Sequence, residues 1–523
     1  MPIRIKNDNN QGNYNPRSGG GGGGGGIGGG GIGQLIPILI GLFGRNPKML
    51  LLVAIVGGVI YFAGGKGCGS SVLPVGPDSA AGSLATGANF DIKKYSATEI
   101  YEPLSDNKSA PLPESISLLK FAPKRLNQGQ QGSCVAWASA YAARSIMHAR
   151  ESGSDPNNST FSPSFLYNQI ALEGCQGAYL PEAMKVMQGK GLAPFDEMPY
   201  TDQDCSARPD DFTLRKASEF KIDGFQRLTG GSQGTDPQKV NMLAIKQNLA
   251  QGAPVVIGMM VGGSFMQEMM GKDMWVPSDA DYDMRGFGGH AMCVIGYDDY
   301  KFAKNMGGFQ IMNSWGEEWG NKGVAWVSYD DFNHFTKEAY GIYPMGDASA
   351  PGTSQFSLQL GIVANKDGNN IELEQTGTGE FRTTRKLSVN EEFKIEVINN
   401  QECYVYIFGQ EVDGSSYTLF PYTEKHSPYF GITGRRLFPR DMSMYPDDKG
   451  SQDYFAVVIS KKPLDYDQFN KKLSSAPGST YADKLTSVVG SNSSVQMRGG
   501  KQIAVTGDYN NLNIAGAVIE VNK

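Results

Sequence analysis

The sequence predicts an α+β region followed by an all-β domain, with a membrane-spanning helix ahead of both. Small residues after Cys134 predict a closely packed central helix from Val135 to Met147. Beyond residue 390, apolar and polar residues alternate in short runs separated by turn-forming stretches, which is typical of strands. Seventeen uncharged residues, Met49 to Gly65, are long enough to cross a bilayer core of about 30 Å with some thinning.

The N-terminal part is dominated by glycine. Of the 68 glycines among the 523 residues, 13 lie in residues 19–33, without the three-residue period of collagen. We therefore predict a Gly-rich low-complexity segment over 1–48, a transmembrane helix over 49–65 and a flexible linker over 66–111. A buried core helix and a cleaved signal peptide are the alternatives for the apolar stretch.

The charge distribution predicts the orientation of that helix. Residues 1–66 hold six basic residues and one acidic residue, a net charge of +5, whereas the whole chain carries −6. Cytoplasmic flanks are enriched in Lys and Arg, so we expect the N-terminus inside and the residues after 66 facing the periplasm or exterior. A second apolar stretch, 35–44, is too short to cross alone, and pairing with 49–65 would invert this topology. The negative net charge gives no reason to expect a nucleic-acid partner.

Two globular domains follow the linker. The first covers 112–345, and a run of small residues, Gly346 to Ser354, separates it from the second, which covers 355–523. Period-two strands in the second domain predict a β-sandwich, and they lie at 393–397, 404–408, 454–459 and 517–521. The strand pattern and the stretch from Tyr417 to Pro421 loosely resemble an uncharacterised bacterial β-sandwich domain that accompanies peptidases, so a protein partner is an expectation there.

Cysteine and histidine usage predicts neither a metal site nor a cofactor. The six cysteines contain no CxxC pair, and the four histidines contain no HExxH motif. Six cysteines in 523 residues are also too few for a disulfide scaffold.

Three motifs carry the chemistry. Cys134 follows a Gly-Ser turn and opens the small-residue helix, where unsatisfied N–H groups and the helix dipole stabilise a thiolate. His290 begins one apolar strand, and Asn313 ends another. A single histidine in such a place is more often structural, but a nucleophile, a base and an orienting amide together predict nucleophilic catalysis.

In this order, the motifs resemble the papain family of cysteine peptidases over residues 112–345, in a bacterial, membrane-anchored form. The resemblance implies a two-lobed catalytic domain, with a helical lobe and a β-barrel-like lobe, that cleaves peptide bonds through a thioester. It implies a role for each matching residue: Cys134 as nucleophile, His290 as general base and then acid, Asn313 as orienter of the imidazole, Gln128 as oxyanion-hole donor, Trp315 as shield of the Asn–His bond, and Gly177, Ala178 and Gly289 as substrate-binding backbone.

The sequence also departs from the family pattern. Gln131 stands where the family has a cysteine, so the usual disulfide to the Cys175 region cannot form. Cys175 and Cys205 each lack the usual partner, and we predict that they bond to each other, with two separate buried thiols as the alternative. No inhibitory pro-domain of the family's usual size fits between the anchor and Leu112, so any restraint on activity is expected to come from elsewhere.

The first functional hypothesis is therefore a membrane-anchored thiol endopeptidase acting on peptides or proteins. An acyl transferase or deamidase could use the same residues, since a thioester reacts with water and amines alike. A catalytically silent membrane-anchored scaffold, with the sandwich binding a partner, is the hypothesis from a different class. The presence of the complete catalytic set favours the peptidase.

Overall fold

The computed structural model describes residues 3–7, 84–105, 111–228, 239–343, 355–490 and 495–523. The predicted Gly-rich segment and transmembrane helix lie outside these ranges, apart from strand β1 (Ile3–Asn7). Among the described residues, no helix combines the length and the apolar character that crossing a membrane requires.

The residues just before the catalytic region are folded. They form strand β2 (Ala88–Asn89) and helix α1 (Ile92–Ser96), which Asp91 caps by accepting hydrogen bonds from two backbone N–H groups. The prediction of a flexible linker over 66–111 is therefore wrong for residues 84–105. Backbone pairing, helix capping and a few buried side chains such as Tyr95 hold this stretch, and they do not repeat with the hydrophobic periodicity by which a folded element is recognised in sequence.

The catalytic region combines helices with one mixed sheet. Its helices are α2 (Cys134–Ala136, Trp137–Arg144 and Ser145–Ser152, in continuous succession), α3 (Pro163–Ile170), α4 (Leu180–Gly189), α5 (Asp211–Ala217), α6 (Met242–Ala250), α7 (Gly263–Gln267) and α8 (Tyr329–Phe335). Its strands are β3 (Ser115–Ser117), β4 (Ala178–Tyr179), β5 (Gly224–Arg227), β6 (Val255–Val261), β7 (Met274–Trp275), β8 (Gly288–Ala303), β9 (Met306–Met312), β10 (Val324–Ser328) and β11 (Thr336–Tyr343). The sheet order is β5-β11-β6-β8-β9-β10-β7, with β3 on β8, while β4 pairs with β2.

Helix α2 is the central helix that the small residues predict. Ala136, Ala140 and Ala143 are fully buried, and such small side chains let neighbouring elements approach closely. The helix continues past the predicted end at Met147 to Ser152, and its middle segment is π-helical. It begins at Cys134, which places the thiol at the junction of the helical part and the sheet.

The C-terminal region is a sandwich of two mainly antiparallel sheets around a separate apolar core. Its strands are β12 (Gln355–Ala364), β13 (Asn370–Ile371), β14 (Leu373–Gly377), β15 (Glu380–Thr383), β16 (Phe393–Asn399), β17 (Cys403–Gln410), β18 (Ser416–Phe420), β19 (Tyr429–Phe430), β20 (Gly434–Phe438), β21 (Met442–Pro446), β22 (Gln452–Ser460), β23 (Val495–Arg498), β24 (Ile503–Asp508) and β25 (Ile514–Asn522). One sheet has the order β1-β21-β16-β12-β24-β23, with β13 on β12 and β20 on β16, and the other has the order β14-β15-β25-β22-β17-β18, with β19 on β17.

The four strands predicted from alternation fall within β16, β17, β22 and β25. Two helices that the sequence analysis did not predict, α9 (Tyr466–Ser475) and α10 (Tyr481–Val489), cover one face of the second sheet. The catalytic core also extends into the sandwich, because Tyr429 and Ile432 pack into it.

Candidate active site

Cys134 is the first residue of α2, and its side chain lies next to the first residues of strand β8. Its Sγ accepts a hydrogen bond from the backbone N–H of Ala291 at 3.4 Å, and its side chain is fully buried. Burial raises the pKa of the thiol to about 12, while N–H groups led by that of Ala291 act in the opposite direction. The thiol is therefore protonated in this structure, although donors that would stabilise a thiolate already surround it.

His290 and Asn313 come together because β8 and β9 are neighbours in the sheet. His290 Nε2 lies 2.7 Å from Asn313 Oδ1, and since an amide oxygen only accepts, Nε2 is the protonated nitrogen. The Nδ1 atom of His290 is buried and has no hydrogen-bond partner among the described residues. Burial lowers the pKa of His290 to about 4, against the bond to Asn313, so the ring is a neutral imidazole with a lone pair ready to take a proton.

Trp315 covers this pair as the resemblance implies. Its ring stacks on that of His290 with centroids 4.3 Å apart and an interplanar angle of 24°. An indole that excludes water from the bond between the imidazole and Asn313 would strengthen it, and this role of Trp315 stays a prediction.

Gln128 lies in the turn before Cys134 and is completely buried. Its Nε2 donates to the carbonyl of Gln131 at 2.9 Å, and its Oε1 accepts from the Ser314 hydroxyl at 2.6 Å. The amide is thus oriented by groups on both sides of the site. Its role as an oxyanion-hole donor stays a prediction.

Ser314 and Tyr200 are two contributors that the sequence analysis missed. The Tyr200 hydroxyl donates to the carbonyl of Gln128 at 2.7 Å and lies 2.6 Å from the hydroxyl of Ser133. Ser314 could have been suspected from its position beside Asn313. Tyr200 carries no local signal, because its contact with the turn depends on a chain separation of about seventy residues.

One wall of the cleft is formed by the residues just before β4. Cys175 and Cys205 are joined by a disulfide, and the Tyr167 hydroxyl donates to the Cys175 carbonyl and accepts from the N–H of Gly177. These contacts fix the backbone that the resemblance assigns to substrate binding. Within the described ranges, no group of three or more His, Cys, Asp or Glu side chains is arranged to hold a metal ion.

The cleft is filled by the chain itself. Residues 84–90, here called the cleft strap, run between the two walls, with β2 parallel to β4. The N–H of Gly87 donates to the Gly289 carbonyl at 3.1 Å, and the Gly87 carbonyl accepts from the N–H of Ala178 at 2.9 Å. Trp315 Nε1 donates to the carbonyl of Ala85 at 2.8 Å. The backbone groups predicted to bind substrate are therefore already engaged.

Glycines make room for the strap. A Cβ at Gly177, whose φ is +107°, would lie 2.4 Å from the Gly87 carbonyl oxygen, and a Cβ at Gly289 would lie 2.0 Å from that of Ala88. A Cβ at Gly258 would lie 2.5 Å from the ring of Phe90. The strap fits so closely that a side chain at these positions would push it out.

A fully buried thiol at a helix start, bonded by the N–H of the residue that follows an amide-oriented histidine, supplies the groups that cysteine-type peptidases use. Residues 120–345 match the model of the papain family of cysteine proteases. Among curated proteins, the chain is similar to an uncharacterised peptidase C1-like protein of Acanthamoeba polyphaga mimivirus, with 29% identity over 229 residues, 42% of this chain and 67% of that protein. It is also similar to cathepsin K of Mus musculus, with 28% identity over 245 residues, 46% of this chain and 66% of that protein.

The chain thus spans about two thirds of the length of these relatives. Among solved structures, xylellain, a cysteine protease from Xylella fastidiosa, aligns at 25% identity with a TM-score of 0.39 over 51% of this chain and 98% of that chain. Residues 120–345, less than half of the chain, are thus similar to papain-family cysteine proteases, and the comparisons identify a cysteine-type peptidase.

Proposed function

We propose that the chain is a membrane-anchored papain-like endopeptidase that uses Cys134, His290 and Asn313 to hydrolyse peptide bonds through a thioester. The observation that carries the proposal is the neutral imidazole of His290, held by Asn313 through Nε2 and left with an unpartnered Nδ1 among the described residues, next to the residue whose N–H binds the thiol.

The steps follow from this arrangement. His290 Nδ1 takes the proton of Cys134, and the thiolate sulfur attacks the carbonyl carbon of the substrate. The oxyanion that forms receives hydrogen bonds from the backbone N–H of Cys134 and from Gln128 Nε2. His290 then gives its proton to the departing amine, and water, deprotonated by the same imidazole, hydrolyses the thioester.

With the cleft strap in place, Cys134 and His290 are buried and substrate cannot reach them. Burial raises the pKa of Cys134 to about 12 and lowers the pKa of His290 to about 4, so neither side chain is charged. Departure of the cleft strap would admit water and bring both pKa values toward their ordinary range, which favours proton transfer from thiol to imidazole.

The test compares two buried thiols. Cys134→Ala should lower peptide hydrolysis by about 10⁴- to 10⁶-fold, as expected for the loss of an activated nucleophile. Cys293 on β8 is also fully buried, and burial raises the pKa of its thiol with no N–H group acting in the opposite direction. Cys293→Ala should therefore leave the rate unchanged. The measurement is turnover of a diverse peptide library, with labelling of Cys134 by a thiol-directed epoxide.

Unchanged hydrolysis by the Cys134→Ala protein would overturn the assignment. Release of ammonia from glutamine peptides without chain cleavage would instead favour the deamidase hypothesis. A wild-type protein that labels but turns over no peptide would favour the scaffold hypothesis.

Membrane anchoring through residues 49–65, with the catalytic region facing the periplasm or exterior, is supported by the apolar stretch and its basic flank. The pairing of strand β1 with β21 counts against a single crossing, because one crossing at 49–65 would put these two strands on opposite sides of the membrane. Insertion of 35–44 together with 49–65 would leave both strands on one side. A membrane-impermeant protease, applied to intact and to permeabilised cells with epitopes at both ends of the chain, distinguishes the two topologies.

A further inference from the structure

Residues 98–105, here called the interdomain segment, lie between the catalytic region and the sandwich. On the catalytic side, the segment pairs with the end of β5: the N–H of Tyr101 donates to the Arg227 carbonyl at 3.2 Å, and the N–H of Arg227 donates to the Glu99 carbonyl at 2.9 Å. Gln247 Nε2 donates to the carbonyl of Leu104 at 2.9 Å.

On the sandwich side, the same segment forms a second set of backbone bonds. The N–H of Ile100 donates to the Lys425 carbonyl at 2.6 Å, and the N–H of Ser427 donates to the Ile100 carbonyl at 3.0 Å. Farther along, the N–H of Ser105 donates to the Arg435 carbonyl at 2.8 Å. The segment is therefore bound by both domains.

Side chains add a specific feature on the sandwich side. The Glu102 carboxylate is almost completely buried and lies 3.6 Å from the Arg440 guanidinium. Arg436, itself 1% exposed, donates from Nε to the Glu102 carbonyl at 3.0 Å, and its other nitrogens are held by Asn399 and the Ile432 carbonyl. Arg440 and Arg436 favour the charged form of Glu102, but burial outweighs them and raises its pKa to about 7. The two guanidinium groups therefore offset only part of the cost of burying this carboxylate.

The interdomain segment is tightly connected to the cleft strap. Only α1 and its flanking residues separate them, and α1 is packed: Tyr95 is 1% exposed against Tyr340, and Lys94 Nζ lies 3.0 Å from a Glu182 oxygen. The strap has little slack to leave the cleft while the interdomain segment stays in place.

We propose that the C-terminal sandwich is a latch: its partner is the interdomain segment of the same chain, and by holding that segment it keeps the cleft strap in the active site. The proposal rests on the proposed peptidase function. It gives the sandwich a regulatory role in the same molecule, in which whatever loosens the sandwich from residues 98–105 exposes Cys134.

The physical basis is the difference between the two attachments. The strap is held in the cleft mainly by backbone hydrogen bonds, for which water and substrate backbone compete. Binding of the interdomain segment raises the effective concentration of the strap at the cleft without adding a contact there. Weakening the latch therefore shifts the equilibrium between closed and open cleft.

The experiment measures how fast iodoacetamide alkylates Cys134 in the full chain, by mass mapping of peptides. Glu102→Gln and Arg440→Gln should each accelerate alkylation by about 5- to 150-fold, the usual range for coupling between sites. Arg385→Gln is the matched control, because it removes a guanidinium from an exposed ion pair of the sandwich with Glu391 and should leave the rate unchanged. Alkylation of Cys403, buried in the sandwich core, reports any general loosening of that domain.

Gly87→Val supplies the reference for an open cleft, since a Cβ there would lie 2.1 Å from the Gly132 carbonyl oxygen. Fast alkylation of Gly87→Val together with wild-type rates for both latch variants would overturn the latch. Cys403 alkylated in step with Cys134 in the latch variants would overturn it as well, since the domain would simply be unfolding. Fast alkylation of Cys134 in the latch variants without any gain in hydrolysis would uphold the latch and refute the peptidase function.

Discussion

The cleft and the Lys523 cluster of the C-terminal sandwich bury polar groups in different ways. In the cleft, His290 Nδ1, Asn313 Nδ2 and Gln131 Nε2 are buried with no hydrogen-bond partner among the described residues. In the sandwich, the buried ammonium of Lys523 lies 3.0 Å from an Asp447 oxygen and 2.8 Å from an Asp453 oxygen.

An unpartnered buried polar group costs about 1–3 kcal/mol of stability, so a fold retains it where the group has another task. A buried charge that is paired fixes local structure. The comparison separates the two regions: side chains of the cleft should matter for rate, and ion pairs of the sandwich should matter for stability.

His290→Ala is the largest expected effect. Without the base, the Cys134 thiol cannot transfer its proton, and hydrolysis should fall by about 10⁴-fold or more. The free energy of unfolding should fall by about 2–5 kcal/mol, from the lost bond to Asn313 and from the cavity left where the buried ring stacks on Trp315. Peptide turnover and denaturant titration measure the two quantities, and a rate that falls no further than the loss of folded protein explains would break the comparison.

Lys523→Met should show the reverse behaviour. It leaves the Asp447 and Asp453 carboxylates, 2% and 0% exposed, without their cation, and removing one partner of a buried pair costs about 3–5 kcal/mol. Hydrolysis well below the unfolding temperature should equal that of the wild type. If Lys523→Met unfolds like the wild type in denaturant, the pair is not structural.

Asp453 provides a smaller test through pH. Burial raises its pKa to about 6, against the hydrogen bond and charge of Lys523, so the folded state binds a proton that the unfolded chain releases near pH 4. Its stabilising contribution is complete below about pH 4 and is lost as the pH rises through about 6, for a total of about 1–3 kcal/mol. Asp453→Asn should abolish this part of the slope, measured as unfolding free energy from pH 4 to 7. Parallel pH profiles for the two proteins would contradict the assignment.

The sequence singled out the candidate catalytic residues because each sits near an element boundary with a strong local signal, and their catalytic roles stay predictions. Cys134 opens a helix, His290 begins β8 and Asn313 follows β9, and the structure brings the latter two within 2.7 Å. The four sandwich strands were predicted from short runs with a period of two, although the structure buries most of their residues on both faces.

The cleft strap and the interdomain segment could not be predicted in this way. The strap consists largely of small residues and binds through its backbone, which any composition can supply. Glu102 looks like an ordinary surface carboxylate until Arg436 and Arg440, more than three hundred residues away, are placed beside it. Such long-range pairing leaves no trace in local periodicity.

The filled cleft has a consequence for chemical durability. Within the described part of the chain, Cys175 and Cys205 form a disulfide, and the other cysteines there, Cys134, Cys293 and Cys403, are buried thiols. Oxidants attack thiolates that they can reach, and Cys134 is neither ionised nor accessible while the strap is seated. The strap therefore acts as a protecting group: the disulfide can form in oxidising surroundings while Cys134 stays unmodified, and oxidation of this thiol requires the cleft to open.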